Sequence, residues 1–195
     1  MPSEKPYVVL LNSADTLKTI EPGIQAVFDF KNVTHLDEAL ALIDEKKRLI
    51  SGVIASATLD EEKRWSLLDH VRRLFPDDWE VQLSFILERH WIKQYKAIAF
   101  LELLLMYRLD KNITNRLSVM ANSSTASGNL AIESTVERDS SISFFRVPDH
   151  TSVQSDPVLF WEELRAMWGD PNPGGGKSQR NDPATLKAFF ASFRA

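Results

Sequence analysis

The chain has 195 residues, a formal net charge of −4, 44% hydrophobic and 26% charged residues, and no cysteine. This composition predicts a soluble globular protein with a core large enough to need no staple, and it excludes disulfides, thiol catalysis and cysteine-ligated zinc. The acidic balance argues against a generic nucleic-acid coat, which concentrates Lys and Arg.

The N-terminal run Tyr7–Leu11, "YVVLL", reads as a buried strand ending in polar Asn12-Ser13. Asp15–Ile20 predicts a short helix stopped by Pro22-Gly23, and the alternating Ala26–Phe30 a second strand. Thr34 with Asp37 three residues on resembles a capping box opening a helix, with Leu36, Ala39, Leu40 and Ile43 on its apolar face. Ile50–Ser56 is apolar at nearly every position, the pattern of a strand covered on both faces. Asp60–Leu74 is helical with a stripe of Trp65, Leu68, Val71 and Phe75, and Pro76 stops it. Glu80–Leu87 is a fourth strand. A long helix, Arg89–Leu109, then repeats Trp91, Tyr95, Ile98, Leu101, Leu105 and Leu109 at three and four. Such alternation predicts an α/β fold with a doubly wound, mainly parallel sheet.

Beyond it, Ala121–Asn129 is a polar loop of small residues, and Asn129–Val147 reads as a β-hairpin turning at Arg138–Ser141. Asp156-Pro157 and Asp182-Pro183 each open a helix, aspartate as cap and proline at the first helical position. The organisation expected is therefore an α/β domain over 1–120, a hairpin and helix extension over 121–169, a flexible Gly/Pro linker over 170–182 and a C-terminal docking helix over 183–195. The longest apolar run, Ala97–Tyr107, falls short of the about 20 residues a bilayer span takes. No basic then apolar leader opens the chain, so a cytoplasmic protein with no membrane partner is expected.

Gly176-Lys177-Ser178 ends like a nucleotide-binding P-loop, but Pro171 stands where that loop needs its first glycine. A helix, not a strand, precedes the run. His35, His70, His90 and His150 show no paired metal-ligand spacing, and no Gly-x-Ser-x-Gly elbow occurs. The carboxylate runs Asp60–Lys63 and Phe160–Leu164 belong to helix first turns and solvent faces. No cofactor, metal site or catalytic group emerges. Leu186, Phe189, Phe190 and Phe193 instead form an aromatic stripe at i, i+3, i+4 and i+7, on a helix too short to stand alone. Lys177, Arg180, Lys187 and Arg194 make this tail basic.

In strand and helix order, and in the stretch His35–Ser56, the first hundred residues resemble the receiver domain of bacterial response regulators. The resemblance implies an acidic pair after the first strand, where this chain has Asn12 and Ser13. It implies a phosphate-accepting aspartate at the end of the third strand, where Ala55, Ser56 and Ala57 stand. Ser84 is the candidate for the hydroxyl residue after the fourth strand, and no fifth strand bearing a lysine is recognisable. Without convergent carboxylates there is nothing to hold magnesium and no aspartyl nucleophile. The resemblance thus implies a degenerate receiver, not an enzyme, with Asn12, Ser13, Ser56 and Ser84 as a vestigial pocket. It also implies a dimerisation face around the long helix. The expected function is a regulatory or adaptor protein acting through protein contacts and self-association, with Leu186, Phe189, Phe190, Phe193, Trp91 and Tyr95 as contact residues. The alternative is a nucleic-acid-binding transcriptional regulator using the basic tail or the hairpin.

Overall fold

The residues of β1 (Tyr7–Leu11) are apolar on both sides because both sides are covered. Val9 and Leu11 enter one core cluster, Val8 and Leu10 another on the opposite face. In the computed structural model, residues 5–11, 21, 23–75, 81–87, 96–110, 117–122, 142–147 and 157–168 are described. The further elements are β2 (Asp29–Val33), α1 (Leu36–Glu45), β3 (Ile50–Ser56), α2 (Glu61–Leu74), β4 (Gln82–Leu87), α3 (Lys96–Asp110), β5 (Leu117–Asn122), β6 (Ile142–Val147) and α4 (Pro157–Trp168).

Among the described residues the strands form one six-stranded sheet in the order β2-β1-β3-β4-β5-β6. Every neighbouring pair is parallel. The order reverses at β1, which has β2 on one side and β3 on the other. That is the switch point of a doubly wound sheet of receiver-like order, with β6 added at the far edge. The β1–β3 register slips between Tyr7 and Val8, which face Ile50 and Gly52. Ser51 is therefore an extra residue, and Ile50 and Val53 both reach the first core.

The first face is covered by α1, α2 and α3. Phe100 of α3 meets Phe85 of β4 edge to face at 5.4 Å, and His70 of α2 reaches Asp44 of α1 at 2.9 Å. The second face holds residues 23–27, which are helical, and α4. Trp161, 1% exposed, packs at right angles to Phe28 and Phe160, with ring centroids 6.3 and 5.2 Å away. No helix among the described residues is long and apolar enough to cross a membrane.

Several boundaries move from the sequence expectation. The second strand starts at Asp29 rather than Ala26, because Ile24, Val27 and Phe28 have helical spacing and all enter the second core. The Phe28 N–H still bonds the Ile24 carbonyl at 2.8 Å. Helix α1 begins at Leu36, capped by His35 without a side-chain hydrogen bond, so the Thr34 capping box does not form. Asp37 and Glu38 in its first turn still suit the helix dipole. On α2 the buried positions are Arg64, Leu67, Leu68 and Val71, which turns Trp65 to the flank of the helix.

A fifth strand exists where none was recognisable. Leu117 and Val119 point into the first core and Met120 into the second, but Ser118 broke the apolar pattern. The expected hairpin is also corrected in its second half. Ile142–Val147 is β6, paired parallel to β5 from Leu117↔Ile142 to Asn122↔Val147. A parallel pair needs a crossover of about a dozen residues or more, which 123–141 supply. The sheet and its covering helix α4 thus run across the boundary drawn at residue 120. Asp15–Ile20, residues 129–141, the linker 170–182 and the segment 183–195 lie outside the described residues.

Candidate functional site

In a doubly wound sheet, ligands bind at the carboxyl ends of the strands beside the switch point. Here the central strand β3 ends in Ala55-Ser56, followed by Ala57, all buried. The Ser56 Oγ lies 2.7 Å from Thr58 Oγ1 and accepts the Thr58 N–H at 3.2 Å, so the hydroxyl is engaged by its own loop. Ala57 donates its N–H to the Ile86 carbonyl of β4 at 3.0 Å. Its carbonyl accepts from Arg64 Nη1 at 2.7 Å. The side chains at this strand tip are small and uncharged. Among the described residues no cluster of three His, Cys, Asp or Glu side chains could hold a metal ion.

Arg64 is the charged group nearest this tip by bonding, and it is only 6% exposed. Its guanidinium lies 5.0 Å from the ring centre of Phe100 and 5.6 Å from that of Trp65, so two aromatic faces take the place of water. Nε has no partner. Desolvation lowers the pKa of the group, against the pull of Glu61 and Asp60. Arginine nonetheless remains a cation at neutral pH. Its bond to the Ala57 carbonyl fastens the first turn of α2 to the end of β3.

Ser84 lies in the middle of β4, not after it. Its hydroxyl is hydrogen-bonded to that of Ser118 on β5, and both are buried. Across the sheet Ile54, Ser84, Ser118 and Ser143 fall in one register row. Ser56 lies two residues beyond Ile54, opposite Ile86, and its hydroxyl bonds Thr58 whereas that of Ser84 bonds Ser118. Ser84→Ala should therefore act on stability alone. It strands the Ser118 hydroxyl at a cost of about 1–3 kcal/mol, and Ser84→Ala/Ser118→Ala should recover most of that. Urea midpoints of the two variants check this. Asn12, Ser13, Trp91, Tyr95, Leu186, Phe189, Phe190 and Phe193 lie outside the described residues.

The surface that sequence reasoning left open is the outer face of α3. The run "AFLELLLMY" has apolar residues around most of the helix, which fits either a core helix or an interface. The structure turns Ala97, Phe100, Leu101 and Leu104 inward. It leaves Leu103 42% and Met106 67% exposed, in line with exposed Ala99 at spacings of four and three. Beside them Trp65 of α2 stacks on Tyr107 of α3, centroids 4.2 Å apart and nearly parallel. The Trp65 Nε1–H donates to Glu61 at 3.1 Å. A partly exposed apolar strip thus joins α2 and α3, and exposed Asp60, Glu61 and Glu62 open α2 next to Trp65.

No protein-family model matches the chain, and no curated protein matches it. Among solved structures, the adenylate cyclase from Rhodopirellula baltica superposes with a TM-score of 0.42 at 10% identity, over 70% of this chain and 90% of that one. A likeness of that size says nothing about activity. The receiver-like character rests on the strand order.

Proposed function

We propose that this protein is a regulatory module with a receiver-like fold that works through protein contact rather than phosphoryl transfer. The observation that carries the reading is Ser56. It stands at the last position of the central strand, where a receiver carries its phosphate-accepting aspartate, with its hydroxyl engaged by Thr58. A hydroxyl there is a poor phosphoacceptor without a base and a metal to activate it. The sequence supplies Asn12 and Ser13, not carboxylates, after β1. The apolar outer strip of α3 supports contact as the mode of action, since such strips mark interaction surfaces. Incubation with acetyl phosphate and magnesium followed by intact-mass measurement tests this. The expected result is an unchanged mass, and a stable gain of one phosphoryl group overturns the reading.

A further inference from the structure

We infer that the outer strip of α3 is the docking site for the chain's own C-terminal segment, residues 183–195. The strip offers Ala99, Leu103 and Met106 on α3 and the Trp65–Tyr107 stack at its border. The segment offers a matching element. Leu186, Phe189, Phe190 and Phe193 recur at helical spacing behind Asp182-Pro183, a strong helix start. At thirteen residues it is near the length at which an isolated helix is marginal, so it needs a surface to fold against.

Charge favours this pairing. Lys187 and Arg194 are seven residues apart and so share one flank of the stripe. Exposed Asp60, Glu61 and Glu62 open α2, Glu61 accepts from Trp65 at the border of the strip, and Lys63 beside them is bound to Asp60 at 3.3 Å. The geometry allows it as well. Helix α4 ends at Trp168 on the second face, whereas the strip is on the first. Residues 169–182 can extend about 45 Å at roughly 3.3 Å each. A domain of this size has a radius of gyration of about 15 Å, so the connection can pass round the edge of the sheet. The inference rests on α3 being the contact face proposed above.

The absence of cysteine makes a direct test available. Phe193→Cys is combined with Ala99→Cys or with Met106→Cys, because the tail's direction on α3 sets which one it meets. The reference pair is Phe193→Cys with Leu159→Cys, an exposed position on α4 that is closer in sequence. All three partner positions are solvent-facing, so the fold tolerates them. Oxidation in dilute solution should bridge one α3 pair within the monomer at least about tenfold faster than the reference pair, through the higher effective concentration of a docked tail. Adding Lys187→Glu and Arg194→Glu should slow it. As a second measurement, removing residues 183–195 should lower hydrogen-exchange protection over 99–107 in the otherwise intact chain. Equal rates for all pairs with unchanged protection overturn the proposal. Preferential cross-linking between molecules also overturns it, and assigns the site to a second copy. Neither readout involves a phosphodonor or a partner, so failure here is distinguishable from failure of the regulatory reading.

Discussion

Trp161→Ala should destabilise the whole domain by about 3–5 kcal/mol, the cost of truncating a large aromatic in a packed core. Trp161 is among the largest fully buried side chains and contacts Phe28 and Phe160 on the second face. Its neighbours there include Val8 and Leu10 of β1 and Ile54 of β3, the centre of the sheet. The loss is a large fraction of the about 5–15 kcal/mol that a domain commands. It corresponds to a fall in midpoint temperature on the order of 10 °C for a chain of this length. Denaturant unfolding followed by far-ultraviolet circular dichroism measures it. A change below about 1 kcal/mol would mean that α4 is an appendage, as the sequence-drawn boundary at residue 120 had it. A full-sized effect in one cooperative transition shows that α4 closes the second face of the sheet.

The contrast between the two halves explains what could be read in advance. Tyr7–Leu11 and Ile50–Ser56 were recognisable to the residue, because a strand buried on both faces must be a continuous apolar run. Strand β5 interrupts that rule with Ser118, whose hydroxyl is satisfied by Ser84 in the neighbouring strand, a pairing invisible along one segment. Strand β6 read correctly as a strand but wrongly as a hairpin partner, since pairing direction depends on what crosses between strands rather than on the strand itself. On α2 the periodicity assigned Trp65 to the core. Arg64 takes that place because its guanidinium finds the Ala57 carbonyl and two aromatic faces, a solution that hydrophobicity counts against. At the candidate site, the absence of an aspartate at Ala55, Ser56 and Ala57 was legible in the sequence. The exposure of Leu103 and Met106 was not, because a helix apolar on most sides does not reveal which side meets solvent.

Phe100→Ala should cost about 3–5 kcal/mol as well, by opening a cavity between α3 and the sheet where Phe100 meets Phe85. This site carries a second effect that Trp161 lacks. Phe100 also covers the Arg64 guanidinium, so its removal leaves a desolvated cation with less aromatic cover. Arg64→Met alone should be close to neutral, since a thioether of similar length fills the same space without a buried charge. In the Arg64→Met background, Phe100→Ala should then cost less than in the native chain. The coupling, read from the four denaturation midpoints, should be about 0.5–2 kcal/mol. A coupling near zero would show that the guanidinium does not depend on the Phe100 ring. A large coupling ties the packing of α3 to the end of β3, because Phe100 meets both Phe85 of the sheet and Arg64. Loosening Phe100 would then disturb the packing of α3 and the tip of β3 together.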